Sequence, residues 1–94
     1  MNEEERLKAK IKYYISGILI EVIKDNSLRV KVVDHIYFLI YDETFLNDIE
    51  LIVKGVLLEY LDFTIKSSVI SRISKDIKDY LSYSSEVGRF INWN

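Results

Sequence analysis

Apolar residues recur at three- and four-residue intervals in three stretches of this chain, the spacing that gathers them on one face of a helix. The first stripe is Leu7, Ile11, Tyr14, Ile15, Ile18, Leu19, Val22 and Ile23, with Lys8, Lys10 and Lys12 mainly off it. Asn2 stands where an N-cap is needed, and Glu5 stands where a capping box places its returning carboxylate. Glu3, Glu4 and Glu5 suit the positive end of a helix dipole. These features predict a helix over 3–24, closed by the turn signal Asp25-Asn26-Ser27.

The segment Leu28 to Lys31 alternates apolar with basic residues and is too short for an element of its own, so it reads as an extended loop. A second helix is predicted over 32–61, about 45 Å long at 1.5 Å per residue. It carries two apolar stripes: Val33, Ile36, Tyr37, Ile40, Ile49, Val53, Val56 and Tyr60, and then Phe38, Phe45, Leu46, Ile52, Leu57 and Leu58, widened by Leu39 and Leu51. A helix apolar on two sides must be covered on two sides. Asp42-Glu43-Thr44 could instead split this segment, with Thr44 capping a further helix and an ordinary four-helix bundle resulting. The unbroken form is preferred, because no Gly or Pro stands there and both stripes resume in phase beyond it. Asp62 to Lys66 then reads as a short extended link. Ser67 or Ser68 caps a helix over 68–82 carrying Val69, Ile70, Ile73, Ile77, Tyr80 and Leu81, and residues 85–93 form a short last helix or an ordered tail.

Length and composition narrow the classes of function. The 94 residues make one domain, 49% apolar and 30% charged, which is a globular balance. Lys24, Arg29, Asp34 and Asp42 interrupt the apolar runs before any reaches the roughly 20 residues of a membrane span. The acidic N-terminus lacks the basic segment and apolar core of a secretory signal. Without cysteine and with His35 as the one histidine, thiolate metal sites are excluded and nucleophile–base pairs are nearly so. No cofactor is expected. The formal net charge of −2 argues against a free-standing nucleic-acid binder. The chain is expected not to be an enzyme.

A medium helix, a loop, a long central helix, a short link and a shorter helix make the plan of an all-α histone fold. The outer helices can cover only part of a 45 Å rod, and the remainder would leave a larger apolar patch than soluble monomers usually expose. A second chain is therefore expected to share the core, with Phe38, Phe45, Leu46, Ile49, Ile52, Val53 and Leu57 as the candidate partner interface. In a histone-fold dimer the first loop of one chain lies beside the second loop of the other. Lys24, Arg29 and Lys31 at the first loop, with Lys66, Arg72 and Lys75 at the second, are then candidate phosphate contacts. Lys8, Lys10 and Lys12 could add another. Such contacts position DNA without reading bases.

Glu5-Arg6-Leu7-Lys8-Ala9, followed by Tyr13, Gly17, Leu19 and Glu21-Val22, resembles the first helix of the centromere protein S family of histone-fold subunits. Counting on without a gap, Thr64-Ile65 falls where that family has the threonine-isoleucine of its second loop. The resemblance spans roughly residues 5 to 82. It implies a heterodimer with a centromere protein X-like chain, assembly of two such heterodimers, and binding of double-stranded DNA. It also implies a nuclear, centromeric location, with roles in kinetochore assembly and in replication-fork repair beside a helicase of the Fanconi anaemia pathway. Leu57 to Asp62 is apolar and acidic where the family carries small and basic residues, which weakens DNA contact at that loop. Most of the positive field would then come from the partner. The competing expectation is a histone-fold or helical-bundle interaction module without DNA contact, such as a transcription-factor subunit or a small viral helical protein.

Other residues have plainer readings. For any single lysine, a solvated face balanced by nearby acids explains it better than a phosphate contact. His35 suits a half-buried or interface position better than catalysis. Asp42-Glu43 and Asp48-Glu50 lack the Glu-x-x-His partner helix that carboxylate metal sites in bundles need. Among the seven tyrosines, Tyr14, Tyr37, Tyr60 and Tyr80 fall on apolar stripes, so packing accounts for them before base stacking does.

Overall fold

The computed structural model describes residues 2–42, 49–61 and 64–83. They form four helices, α1 (Glu3–Leu19), α2 (Asn26–Asp42), α3 (Ile49–Tyr60) and α4 (Ser67–Tyr83), with no strand among the described residues. The chain is all-α.

Helix α1 begins as its sequence dictates. The Asn2 side-chain oxygen accepts the Glu5 N–H at 2.8 Å, and the Asn2 carbonyl accepts Arg6 N–H at 3.1 Å. The helix ends at Leu19, five residues short of the predicted end, because the chain turns there. The Leu19 carbonyl accepts N–H from both Val22 and Ile23, at 3.0 and 2.9 Å. The apolar stripe nevertheless runs on through this turn, since Ile23 is buried and Val22 half-buried. Periodicity could not mark a helix end that the core itself spans.

The predicted loop over Leu28 to Lys31 is helix. Asp25 caps it: its carboxylate accepts the Ser27 N–H at 2.9 Å, and its carbonyl accepts that of Arg29 at 2.9 Å. Asp25-Asn26-Ser27, read as a turn, is thus the start of α2, because the residues that favour turns are the ones that cap helices. Helix α4 starts at Ser67, not after it, and the Lys66 carbonyl accepts the first bonds from Val69 and Ile70, at 3.0 and 3.2 Å. Thr44, residues 43–48 generally, and the segment 85–93 lie outside the described residues.

The largest correction concerns the central helix. An unbroken helix would hold His35 and Tyr60, 25 residues apart, at about 37 Å from one another. Their rings instead meet edge-on, with centroids 5.7 Å apart. The segment therefore folds back, and α3 packs against α2 and α4. Covering explains why. The first stripe of the predicted rod (Val33, Ile36, Tyr37, Ile40, Ile49, Val53 and Val56) is buried, joined by Leu57, and is sealed by Ile11, Ile15 and Leu19 of α1 and Ile70, Ile73 and Ile77 of α4. The split that the sequence made second choice hides this stripe within one chain, so the uncovered-rod argument for a shared core does not hold for this arrangement. The stacked rings of Tyr14 and Tyr80, 3.8 Å between centroids, join α1 to α4. Ser74, buried on α4, satisfies its hydroxyl on the Ile70 carbonyl at 2.7 Å.

Candidate interaction and nucleic-acid surfaces

The six candidate phosphate contacts fall into three groups. Lys24, Lys31, Lys66 and Lys75 are exposed. Arg29 is turned inward at the junction of α1 and α2. Its Nε donates to Ser16 Oγ at 3.0 Å, its Nη1 to the carbonyls of Ile23 at 2.8 Å and Lys24 at 3.5 Å, and its Nη2 to Asn26 Oδ1. These acceptors include the carbonyls of Ile23 and Lys24 in the connection between α1 and α2, so Arg29 acts as a clamp on that turn. A cation read as solvent-facing is structural here, because the loop that would have displayed it is helix.

Arg72 on α4 reaches Glu21 in the turn after α1, with a bond from Nη1 to Oε1 at 3.2 Å and another between Nη2 and Oε2. The hydrogen bond from Arg72 holds the Glu21 carboxyl below its usual value, with help from the charges of Arg72 and Lys24. The same bond pushes the Arg72 guanidinium up. Glu21 thus holds Arg72, lies within the electrostatic reach of Lys24, and partly neutralises both. First-loop and second-loop cations meet within a single chain, around an acid.

The cations of α1 have partners as well. Lys12 Nζ binds Asp34 Oδ1 at 2.8 Å, and Lys12 and Lys8 stand over the Tyr37 ring at 5.1 and 5.5 Å from its centroid. A cleft of about 500 Å³ opens beside them, with Phe38 on its wall. Sequence reasoning placed Tyr37 in the core but missed this cradle. The signal was there, since Lys8 and Lys12 are four apart and border the apolar stripe.

The candidate partner interface divides in the same way. Ile49, Val53 and Leu57 are buried in the chain's own core and Ile52 is half-buried, because the fold-back sets the inner side of α3 on α2 and α4. Phe38 is exposed. Phe45 and Leu46 lie outside the described residues. His35 is half-buried between α2 and α3, and its Nδ1 has no hydrogen-bond partner among the described residues. No group of three or more His, Asp or Glu able to hold a metal ion occurs among the described residues. No helix among them is long and apolar enough to cross a membrane.

These features define the class of the chain: an all-α protein whose four described helices close on a common core. Comparison with protein-family models, with curated proteins and with solved structures finds no match.

Proposed function

We propose that the chain is a non-enzymatic subunit that works by pairing with another helical chain, and that the pair is a nuclear histone-fold heterodimer resembling centromere protein S with a centromere protein X-like partner. The observation that carries this is register. The residues that resemble the family's first helix lie on α1 and the turn after it, and Thr64-Ile65, reached without a gap, stands immediately ahead of α4. In the pair, α2 and α3 join into one rod, and the partner's helices cover Ile49, Val53 and Leu57 in place of this chain's own α2. Such an exchange of one cover for another is the logic of domain swapping. The exposed Lys24, Lys31, Lys66 and Lys75 then add to a positive field supplied mainly by the partner, for duplex DNA at centromeres and stalled forks. No cofactor or small-molecule substrate takes part.

A distance tests this reading. Spin labels at Lys31→Cys and Glu59→Cys should lie within about 20 Å in the folded-back chain and about 42 Å apart on a straight helix. Co-expression with a centromere protein X-like chain should produce a stable complex and move the labels to the long distance. A complex that forms with the short distance, or no complex, overturns it. Salt-sensitive retardation of duplex DNA by the purified pair tests the DNA role separately.

A second reading is favoured by the fold-back and by the inward Arg29: a helical-bundle interaction module that keeps its closed core and makes no DNA contact. For it, charge reversal at Lys31 and Lys66 leaves nucleic-acid retention unchanged while partner binding persists.

A further inference from the structure

Helix α3 is apolar on two opposite sides. Its inner side fills the core, whereas its outer side presents Leu51 and Leu58, 63% and 60% exposed, with the exposed Gly55 between them. Positions 51, 55 and 58 are four and three apart, so they stand one above another on a single stripe. A Cβ built on Gly55 would meet nothing within 4 Å. The chain itself therefore gives no packing reason for glycine in mid-helix, where it weakens the helix. A small residue between two leucines lets another helix approach closely.

We propose that this stripe pairs α3 with α3 of a second copy of the chain, the two helices parallel and nearest each other at Gly55. The flanking charges select both the occupant and the direction. Lys54 and Glu59 border the stripe on opposite sides. In a parallel pair the flank of one helix meets the opposite flank of the other, and residues five apart face one another. Lys54 of one copy then meets Glu59 of the second, and two-fold symmetry repeats the pair. An antiparallel pair would set Lys54 against Lys54. Among the described residues neither Lys54 nor Glu59 is engaged in an ion pair of its own chain. The stripe faces directly away from the core, so two copies can meet there without their bodies colliding. Two leucines and a glycine per copy cover far less than the roughly 800 Å² per partner of a standard stable interface. The pairing is consequently weak, populated at protein concentrations on the order of 100 µM and above. It does not rest on the histone-fold reading.

Sedimentation of the full chain between about 10 µM and 1 mM tests it. The mass should rise from 11.1 kDa towards twice that value. Leu51→Glu with Leu58→Glu should remain monomeric throughout, with unchanged helical circular dichroism, since both side chains are exposed in the single chain. Lys54→Glu alone and Glu59→Lys alone should each weaken the dimer about fivefold, and the double exchange should restore it to within about twofold. A monomeric mass at every concentration overturns the proposal. So does a dimer that survives the leucine substitutions, or one that the double charge exchange fails to restore.

Discussion

Helices α4 and α3 are both apolar enough to belong to a core, yet one announces its packing in the sequence and the other does not. On α4 the large aliphatics Ile70, Ile73, Ile77 and Leu81 share one face and are buried, while Arg72, Lys75, Asp76 and Lys78 occupy the other. On α3, Val53, Val56 and Leu57 point into the core while Leu51 and Leu58 point out. One-sided periodicity assigns an inside and an outside at once. Two-sided periodicity says only that the helix has two apolar surfaces, and not which of them the chain itself will cover.

The sharpest way to break that comparison is to truncate adjacent leucines of α3. Leu57→Ala removes a side chain with no exposed surface and should cost about 2–5 kcal/mol. Leu58→Ala should stay within about 0.5 kcal/mol in the single chain. Urea denaturation of both variants at low protein concentration reads the difference. Equal losses would mean that the outer face of α3 is covered in the single chain, and the distinction between its two sides would fail.

The same contrast explains how much of the molecule could be read in advance. The α1 cap and the aliphatic core faces of α1 and α4 follow from residue spacing and from Asn2, whereas the buried Ser74 on α4 does not. The fold-back between Asp42 and Ile49 does not follow, because a helix and a helix pair share one apolar phase when both halves meet the same core. Asp25-Asn26-Ser27 misled in the opposite direction, since turn formers and cap formers are the same residues. At the candidate sites, exposed lysines were legible as charges. The inward path of Arg29 depended on α1 ending at Leu19, which no spacing marks.

Arg29 and Lys31, two basic residues two positions apart, give the next largest contrast. Arg29→Ala strips the bonds to Ser16, Asn26 and the Ile23 carbonyl and should destabilise by about 1–3 kcal/mol. Lys31→Ala should leave thermal stability unchanged within about 0.5 kcal/mol. If the pair behaved alike, Arg29 would not be the clamp on the first turn, and its use as a surface cation would return.

Gly55→Ala tests the outer face of α3 from the other direction. The added methyl meets open space in the single chain and the backbone needs no positive φ, so the substitution should stabilise the monomer by about 0.5–1 kcal/mol. In the α3 pair, the same methyl stands where two backbones come closest. Monomer stability should therefore rise as dimer affinity falls, and a rise in both would mean that close approach is not why glycine stands there.

The smallest effect compares two contacts that tie α4 to α1 and the turn after it, the stack of Tyr14 on Tyr80 and the ion pair of Glu21 with Arg72. Arg72 lowers the folded-state value of Glu21 from its ordinary 4.5, so the unfolded chain binds the proton more readily. Stability from this pair is complete above about pH 4.5 and is lost as pH falls through the lowered folded value. Both side chains are about half exposed, so screening keeps the loss small and salt reduces it further. Denaturation midpoints at pH 7 and pH 3 should differ slightly more in the unaltered chain than in Glu21→Gln, and that excess should shrink in 1 M salt. An identical acid limb in both would show that the ion pair holds α4 to the turn no more firmly than a neutral hydrogen bond, leaving the tyrosine stack to do it.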